Sequence, residues 1–163
     1  MCYSATAIAN YFIQDAIDND RVMTNLRLQK LIYFAHATYF KQYGELLIND
    51  QIEAWPFGPV IPNVYFKLKK YQYREIDDII VEDNGRYFKI KDNDTEVKEH
   101  LNKIIDVFKN VPTVKIVALS QQEDGAWYKT LNEKNINPND KDLVNKIPRH
   151  LTILDNDIKD CGK

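Results

Sequence analysis

Apolar residues recur at helical spacing over much of the chain, and the polar residues between them fall where helices should begin and end. Ser4 precedes a stripe of Ala5, Ile8, Ala9, Phe12, Ile13, Ala16 and Ile17, three and four apart. Its hydroxyl can cap a helix over about 4–17 that the run Asp18-Asn19-Asp20 then stops. A second helix is expected over 25–42, with Leu28, Leu31, Ile32, Ala35 and Tyr39 on one face. Thr24 or Asn25 can cap it, and Gly44 supplies a left-handed exit. Its other face carries Gln29, Tyr33, His36 and Phe40, with Lys30 beside them. Aromatic residues on both faces place this helix at the centre, with packing partners on two sides.

The pattern then changes. Leu46–Ile48 and Ile52–Trp55 read as extended pieces around an Asn49-Asp50 turn. Pro56-Phe57-Gly58-Pro59-Val60-Ile61-Pro62 holds three prolines, each fixing its own φ and extending the residue before it, so the segment should be stiff without regular structure. Within it, Gly58 should accept backbone geometry that other residues resist, and Pro59 should fix the turn. Pro62 suits the first turn of a helix over 62–72 carrying Val64, Tyr65, Leu68 and Tyr71. Ile79–Val81, the turn Glu82-Asp83-Asn84-Gly85 and Arg86–Ile90 read as a β-hairpin, because Asn-Gly is a strong short-turn signal. Helices over 96–109 (Val97, Leu101, Ile104, Ile105, Phe108) and 113–120 complete the periodic part. Beyond Asn132 the signal weakens, with short helices expected around Leu143 and Leu151. The predicted architecture is mainly α: a compact helical domain over 1–132 with its hairpin near 79–90, then an extension over 133–163 of short helices or irregular chain.

Composition narrows the classes. A hydrophobic fraction of 44% and an aromatic fraction of 12% argue against disorder. The formal charge is −2 and evenly spread: 8 basic and 9 acidic residues over 1–81 leave 14 and 15 beyond. No basic excess marks a nucleic-acid footprint, so nucleic acid is not an expected partner. No apolar run reaches the roughly 20 residues of a membrane span. The two cysteines, Cys2 and Cys161, stand at opposite ends with no secretory signal before them, which favours free thiols and a cytoplasmic location.

Catalytic and metal chemistry find little material. His36, His100 and His150 are far apart and neither cysteine has a neighbour, so no metal site and no cofactor are expected; His36 should be a partly buried residue with a hydrogen bond. There is no Gly-x-Ser-x-Gly, P-loop or Gly-x-Gly-x-x-Gly, and Ser4 is better used as a cap, so the chain is not expected to be an enzyme. What remains is a surplus of rings: ten Tyr, seven Phe and two Trp, many of them between positions 33 and 66. Most belong in a core. Tyr and Trp are also the usual anchors of interfaces, and some of these can form a platform for another protein.

The run Leu26-Arg27-Leu28-Gln29-Lys30-Leu31-Ile32-Tyr33-Phe34-Ala35-His36 is followed by Tyr43-Gly44 and then by Ile52-Glu53-Ala54-Trp55-Pro56-Phe57-Gly58-Pro59-Val60-Ile61-Pro62-Asn63-Val64-Tyr65. Together these resemble the Panacea domain, which combines a helix of this kind, a Tyr-Gly exit and a Trp/Gly/Pro segment at fixed offsets. A fainter likeness continues at Ala118-Leu119-Ser120 and Trp127, with Ala126 where the family tends to have Pro. The resemblance implies a compact helical domain that neutralises a co-encoded toxin, by direct binding or by delivery to a cellular protease. Partner contacts are then expected at Gln29, Lys30, Tyr33, Trp55, Phe57 and Tyr65, with Gly58 and Pro59 structural. Two other readings stay open: a phage protein that counters a host defence, and an enzyme or nucleic-acid modifier with a pocket at Tyr33, His36 and Trp55.

Overall fold

A computed structural model describes residues 2–160, so Cys161 lies outside the described residues. Eight α-helices surround one two-stranded sheet among those residues: α1 (Ala5–Asp18), α2 (Asn25–Tyr43), β1 (Glu53–Trp55), β2 (Gly58–Val60), α3 (Pro62–Lys67), α4 (Thr95–Phe108), α5 (Thr113–Ser120), α6 (Ala126–Glu133), α7 (Leu143–Lys146) and α8 (Asp155–Asp160). A 3₁₀ turn, Lys69–Tyr71, follows α3. The expected mainly helical class with a small β element is what forms.

Local chemistry explains the boundaries. Ser4 Oγ accepts the Thr6 N–H at 3.3 Å, and Thr24 Oγ1 accepts the Arg27 N–H at 3.3 Å. Asp94 does the same for Val97 at the start of α4. Gly44 closes α2 at φ +71, where a Cβ would be strained, and donates its N–H to Phe40 O at 2.8 Å. α2 is the axis of the fold, packing against α1, α3, α4, α5, α8 and β2. Leu28, Ile32 and Ala35 are fully enclosed, and so are Ile8, Ile13, Ile61, Leu101 and Leu131 from its neighbours. Each buried Leu or Ile side chain of this set contributes about 1.5–3 kcal/mol by leaving water. Ile17, at the end of the α1 stripe, is instead 41% exposed, because the stripe outruns its packing partners there.

The strand pair is not where the turn signal placed it. Residues 79–90 do bend: Gly85 takes φ +76, its N–H reaches Glu82 O at 2.9 Å, and the Glu82 N–H reaches Arg86 O at 2.8 Å. No ladder continues from that bend. The side chain of Asn10, buried in α1, lies between the two arms, donating to Ile80 O at 3.1 Å and to Phe88 O at 2.9 Å while its Oδ1 accepts the Ile80 N–H at 2.7 Å. Beyond the turn, Asn10 of α1 rather than the facing arm takes the Ile80 N–H and the Ile80 and Phe88 carbonyls.

The sheet forms from the Pro-rich segment, which is therefore regular as well as stiff. β1 and β2 pair antiparallel in the register Glu53↔Val60, Ala54↔Pro59 and Trp55↔Gly58, leaving Pro56-Phe57 as a two-residue turn. The free edge of β1 is covered from the C-terminal side: the Ala54 N–H donates to Leu151 O at 2.8 Å and the Ile153 N–H to Ile52 O at 2.9 Å. Ile153 and Ile158 are buried, and α8 packs on α2 and α6.

Candidate functional site

Side chains take several of the backbone groups that the β1–β2 ladder leaves unpaired. Pro59 has no N–H, so the outward edge of β2 offers only an acceptor at that point. Lys30 Nζ, a group with donors alone, meets that carbonyl at 2.8 Å. One helical step away, Gln29 Oε1 accepts the Ile61 N–H at 2.8 Å, and Gln29 Nε2 donates to Asn25 Oδ1 at 2.9 Å. Asn25 Nδ2 in turn donates to Tyr65 O at 3.1 Å. At the turn, Gln121 Nε2 donates to Pro56 O at 3.0 Å and Trp127 Nε1 to Trp55 O at 2.8 Å. Trp55 Nε1 donates to Glu53 Oε2 at 3.0 Å, and His150 Nδ1 lies 3.1 Å from Glu53 Oε1.

Gly58 is required by two independent constraints. It sits at φ +105, and a Cβ there would lie 2.6 Å from Ser120 Oγ and 3.2 Å from Lys30 Cε. The close approach brings β2 against α5 and α2.

Burial divides the expected contact residues. Gln29 at 1%, Lys30 at 0% and Tyr33 at 5% exposure are internal and do not present their side chains to solvent. Gln29 and Lys30 brace the hairpin from beneath. Burial pushes the Lys30 ammonium down to about 7, and its hydrogen-bond partner is a carbonyl rather than a carboxylate. Phe57 is 67% exposed at the tip, while Trp55 and Tyr65 are half-buried. The ring of Trp55 stands edge-on to Tyr65 at 4.7 Å and to Phe66 at 6.1 Å.

Trp55 and Tyr65 line a groove of about 260 Å³ together with Phe57, Leu26, Gln72 and Tyr73, while Phe66 stands behind them outside its lining. Tyr73 is 86% exposed and Phe66 is also exposed; neither was singled out from the sequence. Phe66 lies in α3 next to the half-buried Tyr65, and Tyr73 lies in the turn after the 3₁₀ segment, where no periodicity marks it. Gln72, beside Tyr73, holds a left-handed φ of +54.

Tyr33, His36 and Trp55 do not form the pocket considered for an enzyme. Tyr33 borders a different hollow, between α2 and the end of α5. His36 is enclosed: its Nδ1 accepts the Ile48 N–H at 3.4 Å and its Nε2 lies 3.2 Å from Asp155 Oδ1. Burial lowers its pKa, against a smaller opposing effect of Asp155. A larger cavity of about 410 Å³ lies between α1, α2 and the end of α4. Arg27 there donates to Phe108 O at 2.7 Å and Val111 O at 2.8 Å, closing the C-terminus of α4, so its guanidinium has a structural use. No cluster of three or more His, Cys, Asp or Glu is placed to hold a metal among the described residues. No helix of the described residues is long and apolar enough to cross a membrane.

The site is thus a braced hairpin beside an open aromatic groove, on a mainly helical domain. Residues 28–128 match the family described as antitoxin SocA-like, Panacea domain, and the chain belongs to that family. It is also similar to Antitoxin SocA of Caulobacter vibrioides (strain NA1000 / CB15N), at 33% identity over 129 residues, covering 76% of this chain and 68% of that protein. No solved structure matches the chain. The matched stretch contains α2 from Leu28 onward, the hairpin and all the groove rings.

Proposed function

We propose that this chain is an antitoxin with a non-enzymatic role: it binds a toxic protein encoded beside it and neutralises it through the groove face. Kinship with SocA-like antitoxins supports the role. The observation that carries the site is Phe57, a ring left 67% in water at the tip of a turn whose flanking carbonyls are fixed from below. A preordered aromatic anchor loses little entropy on association, so more of its burial becomes affinity. Trp55, Tyr65 and Tyr73 widen the platform. Gln29 and Lys30 act on binding only by holding the hairpin, and Tyr33 by packing.

The test is rescue of growth when each variant is co-expressed with the neighbouring toxin, beside melting of the purified variant. Phe57→Ala and Tyr73→Ala should lose rescue with unchanged melting, since an exposed anchor can contribute 2 kcal/mol or more to binding and little to folding. Full rescue by both would remove the groove from the function. Failure of the wild-type chain to rescue would remove the antitoxin role. The toxin's half-life separates the two modes of neutralisation: unchanged under direct binding, shortened under delivery to a protease.

A further inference from the structure

No acid, lysine, arginine or histidine lines the aromatic groove; its surface is made largely by Trp55, Phe57, Tyr65 and Tyr73, with Leu26 and Pro56. The Trp55 and Tyr65 rings cross at 69° with their centres 4.7 Å apart, so they meet as a notch rather than a flat face. Phe57 and Tyr73 stand out into water.

The acceptors beside these rings are already engaged. Trp55 O takes the indole N–H of Trp127, Pro56 O takes the Gln121 amide and Tyr65 O takes Asn25 Nδ2. Asn25 Oδ1 is filled by Gln29 Nε2, and Gln29 Oε1 by the Ile61 N–H. Among the described residues, that leaves the Gln72 amide and the hydroxyls of Tyr65 and Tyr73 as the polar side-chain groups of the lining without a hydrogen-bond partner. An ordinary peptide brings an N–H at every residue into such a slot, and an N–H that leaves water for no acceptor weakens binding. Proline brings none, while its carbonyl still accepts and its φ is fixed. A tyrosine hydroxyl can donate to that carbonyl.

We propose that the partner docks here through a proline-rich, extended segment, its pyrrolidine rings against Trp55, Phe57 and Tyr73 and its carbonyls accepting from the Tyr65 and Tyr73 hydroxyls. Such a segment holds its extended form before binding, so little ordering entropy is lost, and aromatic-lined grooves are where such segments dock. This rests on the docking reading above and gives the chemistry of the segment it would hold.

The probes are three fluorescein-labelled peptides titrated with the full chain: a Pro-Pro-Leu repeat, the same repeat with Ala for Pro, and the same with sarcosine, which lacks the N–H and also lacks the ring. The Pro repeat should bind about tenfold or more tightly than the Ala repeat, with the sarcosine repeat between them. Tyr65→Phe/Tyr73→Phe keeps both rings and should weaken the Pro repeat severalfold with unchanged melting, and Phe57→Ala should weaken every peptide. An Ala repeat that binds as tightly, affinity indifferent to the loss of both hydroxyls, or no binding by any peptide overturns the inference. The rescue assay separates its failure from that of the docking reading. If the Pro repeat is not preferred and Phe57→Ala still abolishes rescue, the groove docks the partner through a segment of another kind. If neither Phe57→Ala nor Tyr73→Ala affects rescue, the docking reading falls as well.

Discussion

Residues 53–60 and residues 79–90 both turn back on themselves through a tight bend, and they settle their backbone hydrogen bonds with different partners. In the first, the strands pair with each other, and α2, α5 and α6 supply Lys30, Gln29, Gln121 and Trp127 to the groups facing outward. In the second, one Asn from α1 enters between the arms and takes three backbone groups for itself. The second segment has the better turn sequence and the first has two prolines. The ladder nevertheless forms where the surroundings answer the leftover backbone groups, since a buried N–H or C=O without a partner costs about 1–3 kcal/mol.

Gly58→Val attacks the first region hardest. It combines a strained φ with a Cβ 2.6 Å from Ser120 Oγ, and about 3 kcal/mol or more of stability should be lost, with rescue lost alongside. An unchanged denaturation midpoint would show that β2 does not need its close approach to α5. Asn10→Ala is the counterpart in the second region. Two carbonyls and one N–H lose their partner, and a loss of about 2–3 kcal/mol is expected in urea unfolding. Faster amide exchange should be confined to 79–90; protection lost equally in 53–60 would mean that the two regions are one cooperative unit.

Lys30→Met gives the smallest change at neutral pH and sharpens the comparison through pH. Burial lowers the Lys30 pKa from 10.5 to about 7, so between those values the unfolded chain holds a proton that the folded chain has released. Stability from this group must then rise with pH across that window, by up to about 1.4 kcal/mol per unit. Lys30→Met should flatten that rise, while leaving Pro59 O without its donor at a cost of about 1–2 kcal/mol. Equal pH slopes in the two proteins would show that Lys30 keeps its charge in the fold.

The helices were legible because their caps and stripes are local: Ser4, Thr24 and Gly44 each act within a few residues of their own position. Gly58 was legible for the same reason, as a residue type that a positive φ demands. Two things were not. A proline in a strand ordinarily argues against the strand, and here it is compatible because β2 turns its acceptor-only edge toward a lysine 29 positions earlier. Asn10, a polar residue amid the apolar run of α1, was the trace of the missing ladder, but its partners lie 70 and 78 positions away. At the site, Gln29 and Lys30 were expected as partner contacts, since polar side chains are usually exposed. Their burial follows from backbone groups whose need no periodicity reveals.

The edge of β1 is closed by residues 151–153, which lie beyond residues 28–128, the part that the family model matches. Helix α1, which covers α2 and α3, lies before it. A fragment cut to that stretch would keep every ring of the groove, and would uncover the Ala54 N–H, the Ile52 carbonyl and the α1-facing side of α2. An open strand edge next to bare aliphatic surface is the usual starting point for sheet-to-sheet aggregation. The segment that the family model matches and the thermodynamic unit are therefore different lengths of chain. Grafting, display or crystallisation of the recognition face has to carry both flanks along with it.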